Sequence, residues 1–313
     1  MSDKFSISPT EITRLNGGES LRRPDFVSVE EPLEIQLLID GQTSPKSISV
    51  TMRTPGNDLA LAAGFLYTEG IIRNGSDIQS FHANTDPNGN RLCLEIDPNI
   101  SLDLTKLERH FYTTSSCGVC GKASMDAVQQ QCWVELPKSQ WKVSPSTLYA
   151  LPDSLREQQA NFQQTGGIHG CALFDLQGKL IHSAEDVGRH NALDKLIGHF
   201  ILSAQSELFK TLKKSSSQEF TVAEQTIQPN PLAVNHPSIP LSEHILLLSG
   251  RISFELVQKA AMAGIRFISA VSAPSSLAID LAEEMGITLV GFLRGEKCNI
   301  YTHGQRVETQ PKD

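Results

Sequence analysis

The chain has 313 residues, six cysteines and a formal net charge of −8 at pH 7. This length allows one large domain or two smaller ones with a substantial core. Six cysteines are too few for a disulfide scaffold, so we expect free thiols in a reducing compartment. The acidic charge argues against nucleic-acid binding, which needs basic surface to neutralise phosphates.

Membrane insertion and secretion are also not expected. The longest aliphatic run, residues 245–248, is much shorter than a membrane span. The N-terminal residues contain no apolar stretch of the length that a signal peptide needs. The sequence therefore predicts a soluble protein in a reducing compartment.

The N-terminal third predicts a small α+β domain over residues 26–115, preceded by a flexible arm over residues 1–25. Asp40-Gly41 lies between two strand-like segments and is typical of a β-hairpin. Asn57 can cap a helix whose apolar residues recur at helical spacing. The predicted ββαβ elements are strands at residues 34–39, 46–50 and 91–96 and a helix that follows Asn57.

The rest of the chain, residues 116–313, predicts a second, α/β domain. Its last third alternates strands and helices, which predicts parallel strands covered by helices. A Ser- and Pro-rich excursion at about 205–240 interrupts the pattern. The predicted helices are residues 122–131, 146–164, one that opens at Glu185-Asp186, 254–263 and 276–285. The predicted strands are residues 168–174, 179–183, 245–248, 266–271, 287–292 and 299–302.

Cys117 and Cys120 form a C-x-x-C loop behind three hydroxyl residues. Backbone amides of such a loop, next to a helix N-terminus, favour the thiolate, which is the nucleophilic form. Four interpretations remain open: half of a zinc site, an inert turn, a thioredoxin-type dithiol and a sulfur carrier. The chain has no second C-x-x-C or H-x-x-x-H to complete a zinc site, so we predict no metal.

Three predicted loops fall at the carboxyl edge of the parallel strands, where open α/β sheets bind ligands. They combine hydroxyl groups, glycines and cationic side chains, which favours a phosphate-binding site. The alternative is that the serines only cap helices and the glycines only form turns. Neither a Walker loop nor a G-x-G-x-x-G fingerprint is present. The candidate binding residues are Ser249, Gly250, Arg251, Ser272, Ser275, Phe292, Leu293, Arg294, Gly295, Glu296 and Lys297.

A further polar group surrounds the predicted helix start near residue 186. His169, Asp186, Arg189 and His190 could together line a pocket, as acid–base groups or ligands. The alternative is a capped helix with solvated charges.

Taken together, these segments resemble the formate dehydrogenase accessory sulfurtransferases, the FdhD/NarQ family. The resemblance runs from about residue 30 to residue 306. Its motifs are Thr54-Pro55-Gly56-Asn57-Asp58, Cys117-Gly118-Val119-Cys120-Gly121, Thr165-Gly166-Gly167-Ile168-His169, Glu185-Asp186-Val187-Gly188-Arg189-His190-Asn191, Ser249-Gly250-Arg251 and Ser272-Ala273-Pro274-Ser275-Ser276.

The resemblance implies a cytoplasmic, homodimeric sulfur carrier that acts as a sulfurtransferase. It would take persulfide sulfur from a cysteine desulfurase and pass it to the molybdenum bis(molybdopterin guanine dinucleotide) cofactor, before insertion into formate dehydrogenase. Cys117 would carry the persulfide, and residues 292–297 would bind the cofactor. Cys120 would be the partner of Cys117, either releasing the sulfur by closing a disulfide or accepting it in relay. The implied fold of residues 116–313 is a cytidine-deaminase-like three-layer αβα domain without the zinc motif.

Overall fold

The structure, a computed structural model, describes residues 6–39, 44–83, 90–100, 141–203 and 241–309. These residues form three sheets of two, four and six strands, together with helices, so the fold is mixed α/β. Within these ranges no helix combines the length and the apolar character needed to cross a bilayer.

The N-terminal residues form a two-stranded antiparallel ribbon of β1 (Ile7–Asn16) and β2 (Glu19–Ser28). The prediction of a loose arm over residues 1–25 was therefore wrong from Ile7 onward. Gly17 and Gly18 connect the strands with φ values of 56° and 93°. Two successive positive φ angles make the tight turn that matches the twist of paired strands, and glycine adopts them without steric cost.

The four-stranded sheet and one helix make up the N-terminal α+β unit. The strands are β3 (Glu31–Leu38), β4 (Lys46–Arg53), β5 (Ile78–Ala83) and β6 (Arg91–Ile96), in the order β4-β3-β6-β5. The predicted pairing of β3 with β4 and the predicted helix α1 (Asp58–Thr68) are confirmed, while the Asp40-Gly41 turn lies outside the described residues. Strand β5, which the sequence analysis did not predict, pairs antiparallel with β6.

The six-stranded sheet has the order β12-β11-β10-β9-β7-β8. The central strands β9, β10 and β11 are parallel as predicted, and the hairpin β7–β8 joins the same sheet through β7. The strands are β7 (His169–Phe174), β8 (Leu180–Asp186), β9 (Ile245–Leu248), β10 (Phe267–Ala270), β11 (Thr288–Arg294) and β12 (Lys297–Thr302). The helices are α2 (Pro145–Gln158), α3 (Ala160–Thr165), α4 (Arg189–Ser203), α5 (Phe254–Met262) and α6 (Ser276–Glu284).

Helices cover both faces of this sheet. Along β9, Ile245 and Leu247 pack with apolar residues of α2, whereas Leu246 and Leu248 pack with those of α4, α5 and α6. Successive side chains of a strand point to opposite faces, so a strand buried on both faces reads as a continuous apolar run. This burial explains why β9 was predictable from the sequence. The predicted cytidine-deaminase-like arrangement of residues 116–313 stays a prediction.

Two predicted helices have different bounds. The helix expected at Glu185-Asp186 begins at Arg189, because β8 continues through Asp186 in its ladder with β7. The helix predicted over residues 146–164 is interrupted at Gln159, whose ψ of 66° is not helical. The predicted helix at 122–131, the excursion at 205–240 and the domain boundary near residue 115 lie outside the described residues.

Candidate functional site

The three loops at the carboxyl edge of the parallel strands lie side by side. Backbone hydrogen bonds run from the Ile252 amide to the Ala273 carbonyl (3.1 Å) and from the Phe292 amide to the Ser272 carbonyl (3.1 Å). Ile252 also forms a parallel bridge with Pro274. The structure therefore brings the predicted segments near residues 249–251, 272–275 and 292 together at one edge.

The third segment is a hairpin rather than a loop. β11 extends to Arg294, Gly295 and Glu296 make the turn, and Lys297 pairs with Arg294 as β12 begins. The ladder is irregular between Gly291 and Arg294, where Phe292 has a φ of 54° and leaves its side chain exposed. A non-glycine residue with positive φ is strained, and such strain concentrates at functional sites.

The candidate binding residues differ in what they can offer a ligand. Arg251, Arg294 and Lys297 have exposed side chains. Leu293 is fully buried in the core against α2. Two hydroxyls are engaged within the protein: Ser249 Oγ accepts a bond from the Gly170 amide (2.9 Å), and Ser275 Oγ caps α6 at the Ala278 amide (3.3 Å). The three cations and the Phe292 ring are therefore exposed to solvent at this edge, together with the carboxylate of Glu296.

The four polar residues predicted around residue 186 also lie near one another. His169 pairs with Asp186 across β7 and β8, and its ring faces Gly250, where an added Cβ would lie 3.4 Å from Nδ1. Burial lowers the pKa of His169, the charges of Arg189 and His190 lower it further, and the charge of Asp186 opposes them. His169 thus connects this polar group to the carboxyl edge of the parallel strands, where Gly250 lies.

Asp186 connects the two units of the fold. Its carboxylate is fully buried and forms an ion pair with Lys195 Nζ at 2.6 Å. It also accepts hydrogen bonds from the Thr54 amide (3.1 Å), the Gly188 amide (2.8 Å) and Asn191 Nδ2 (3.1 Å). Asp186 therefore positions the loop before α1 and the start of α4.

Two residues that the sequence analysis missed complete the surroundings of His190. His190 Nε2 lies 3.4 Å from Ser253 Oγ and 3.8 Å from Glu255 Oε2. The interaction with His190 is the main cause that lowers the pKa of Glu255 to about 2. The sequence marks Glu255 only as an acid in the first turn of a helix, and only the tertiary structure brings that turn to His190.

A polar cavity of about 420 Å³ opens between residues 54–57, α3 and β8, and Lys195, the ion-pair partner of Asp186, lines it. Glu185 lines it, and its carboxylate accepts bonds from the Asn161 and Phe162 amides (3.2 Å each). Burial raises the pKa of Glu185. The cavity is within the size range of small-molecule sites.

Cys117 and Cys120 lie outside the described residues. The three cysteines in the described part of the chain, Cys93, Cys171 and Cys298, are free thiols. Burial raises the pKa of all three, so their thiolates are disfavoured. Across the described ranges no group of three or more His, Cys, Asp or Glu side chains could hold a metal ion.

The protein thus has a mixed α/β fold. At the carboxyl edge of its parallel strands it exposes cationic side chains and an aromatic ring. The FdhD/NarQ family model matches residues 28–216 and 233–308, and the chain belongs to the FdhD/NarQ family.

Relatives with curated names support this assignment. The chain is 43% identical over 304 residues to the sulfur carrier protein FdhD of Streptomyces coelicolor, which covers 95% of this chain and 94% of that protein. It is 38% identical over 304 residues to the sulfur carrier protein FdhD of Sulfolobus acidocaldarius, in an alignment that covers 97% of this chain and 100% of that protein. The crystal structure of a Desulfotalea psychrophila protein described as a formate dehydrogenase accessory protein has a TM-score of 0.65 at 21% identity. That alignment covers 96% of this chain and 99% of the other. This last likeness supports the fold alone.

Proposed function

We propose that this protein is a cytoplasmic sulfur carrier for formate dehydrogenase. It takes sulfur from a cysteine desulfurase and transfers it to the molybdenum bis(molybdopterin guanine dinucleotide) cofactor. The observation that carries the proposal is the likeness, over 95% of the chain, to a protein named as a sulfur carrier. The C-x-x-C loop supplies the thiols that this chemistry requires.

The reaction balances with two thiols. The Cys117 thiolate attacks the sulfane sulfur of the desulfurase persulfide, and the desulfurase thiolate leaves. The Cys120 thiolate then attacks Sγ of Cys117, so that a disulfide forms and the bond to the sulfane sulfur breaks. The sulfane sulfur is reduced to sulfide, the two thiols are oxidised, and sulfide replaces an oxo ligand of molybdenum. The two protons from the persulfide and the thiol leave with that oxygen as water.

The cofactor is the substrate in this scheme, and its diphosphate groups are anionic. Arg251, Arg294 and Lys297, exposed at the carboxyl edge, suit those groups, and the Phe292 ring offers a face on which a guanine base can stack. The desulfurase and formate dehydrogenase are the proposed partners, and the protein is proposed to act as a homodimer.

Replacing Cys117 with alanine is expected to abolish persulfide labelling after incubation with a cysteine desulfurase and cysteine. Intact-mass spectrometry measures the result, because each persulfide adds the mass of one sulfur atom. Cys298→Ala is the matched control: it removes a half-buried thiol whose pKa is raised by burial, and it should label like the wild type. Labelling of Cys117→Ala at the wild-type level would contradict the proposal.

Replacing Arg294 with alanine is expected to weaken GDP binding about tenfold or more, since a charge-assisted hydrogen bond contributes roughly 1.5–3 kcal/mol. Isothermal titration calorimetry measures the affinity. Arg156→Ala removes an exposed arginine of α2, on the opposite face of the sheet from α5 and α6, and should leave it unchanged. Equal GDP affinities of wild type and Arg294→Ala would remove the cofactor site from this edge.

A further inference from the structure

Three nitrogen donors in the described part of the chain are buried without a hydrogen-bond partner near the opposite edge of the six-stranded sheet. They are Nε of Arg266, Nε of Arg306 and the indole Nε1 of Trp141. The two arginines are only 8% and 6% exposed. Buried polar groups are nearly always paired, so three unpaired donors in one region require an explanation.

The residues that carry these donors are linked through the first residue of β11. The Thr288 amide donates to the Arg266 carbonyl (2.8 Å), and Arg306 Nη1 donates to Thr288 Oγ1 (2.9 Å). The Arg306 guanidinium lies 5.8 Å from the centre of the Trp141 ring. Arg266 precedes β10 and Thr288 opens β11, so this cluster lies at the amino-terminal edge of the parallel strands. The proposed cofactor site lies at the opposite, carboxyl edge of the same strands.

Within the described ranges, the charges of this cluster are not balanced. Neither arginine has an ion pair with a carboxylate among the described residues. Burial lowers the pKa of both, and the charge of Arg306 lowers that of Arg266 further, so the two cations repel each other. Arginine cannot shed its proton in a protein. Two buried cations without a counter-charge are therefore costly.

Among the residues that the structure describes, we find only a partial counter-charge. Arg266 Nη1 lies close to Gly286, at 3.6 Å from the place of an added Cβ, just beyond the C-terminal end of α6. A helix C-terminus carries the equivalent of about half a negative charge, which cannot balance two guanidinium groups.

We propose that Arg266, Arg306 and Trp141 bind a small dianionic oxyanion, of the sulfate or hydrogen phosphate class. The planar guanidinium fork matches the oxygen spacing of such anions, and the indole N–H supplies a third donor. A dianion would satisfy the three unpaired donors and neutralise both charges. The proposal is independent of the sulfur-carrier function, because it involves neither the thiols nor the carboxyl edge.

The test is an anion titration of the purified full-length protein in chloride-free and phosphate-free buffer. Sulfate, inorganic phosphate and chloride are added separately, and binding is followed by calorimetry and by the fluorescence of Trp141 in a Trp133→Phe background. We expect one sulfate or phosphate per chain, with a rise in melting temperature. Arg266→Met and Arg306→Met should each weaken binding at least tenfold and remove that rise.

Two further variants separate a binding role from a structural one. Trp141→Phe removes one donor and no charge, so it should weaken sulfate binding several-fold while the protein stays folded. Arg156→Met removes an exposed arginine and should bind sulfate like the wild type. The proposal is overturned if the wild type binds no sulfate or phosphate, if chloride binds as tightly as sulfate, or if Arg266→Met and Trp141→Phe both keep full sulfate affinity.

Discussion

Gly198→Ala is expected to destabilise the protein by about 3 kcal/mol or more, a loss at the upper end of overpacking effects. Gly198 of α4 faces α1, and an added Cβ would lie 1.8 Å from the Ala60 carbonyl oxygen and 2.7 Å from the Gly64 amide nitrogen. Both are backbone atoms, so no side chain can rotate away. The two helices would have to separate, and that contact joins the N-terminal unit to the six-stranded sheet.

Urea denaturation measures this loss as a lower midpoint at an unchanged slope. Gly64→Ala should behave similarly, because its Cβ would lie 1.9 Å from the Asp194 carbonyl oxygen. Gly167→Ala is the control: its φ is not positive and the nearest atom would be 3.9 Å away, so its stability should stay close to that of the wild type. Equal midpoints for Gly198→Ala and Gly167→Ala would show that α1 and α4 are not in backbone contact.

Lys259→Met is expected to cost about 3–5 kcal/mol, because it leaves a buried carboxylate without its partner. Lys259 Nζ donates to both carboxylate oxygens of Asp194 (3.0 and 2.9 Å) and to Thr68 Oγ1 (2.9 Å). It also forms an ion pair with Glu69 at 3.3 Å. Burial disfavours the charge of Lys259, but Asp194 and Glu69 outweigh it and raise its pKa.

The pH dependence of Lys259→Met gives a second readout. Burial already raises the pKa of Asp194, and Lys259 opposes that rise. Without the lysine the folded state binds a proton at Asp194 more readily than the unfolded state, so the variant should regain stability as the pH falls from 8 towards 5. Lys142→Met, which removes an exposed lysine, should show neither effect. A midpoint for Lys259→Met that equals that of Lys142→Met at every pH would contradict the assigned ion pairs.

The sequence predicted best those elements whose pattern is local. β9 was predicted to the residue because four apolar residues between polar turns indicate a strand buried on both faces. Helices α5 and α6 were predicted to within one residue at their C-terminal ends. The N-terminal ribbon was missed although Gly17-Gly18 is a hairpin signal, because the strands on either side of it are polar and exposed.

The remaining features depend on contacts between distant parts of the chain. Glu255 and His190 are 65 positions apart in the sequence, and their approach follows from how α4 and α5 pack on the sheet. In the sequence, Arg266 and Arg306 look like ordinary surface residues, and only the structure shows that both are buried. Periodicity and motifs are local features of the sequence, whereas the burial of a polar side chain depends on which distant segments pack around it.

The most direct test of the sulfur-carrier function is a single-turnover transfer. The protein is first loaded with ³⁵S by a desulfurase, separated from it, and mixed with formate dehydrogenase that carries the unsulfurated cofactor. We expect the label to leave the carrier, to appear with the released cofactor, and to restore formate oxidation in proportion. Label that stays on the carrier, or that reaches only small thiols while formate oxidation stays absent, would contradict the account.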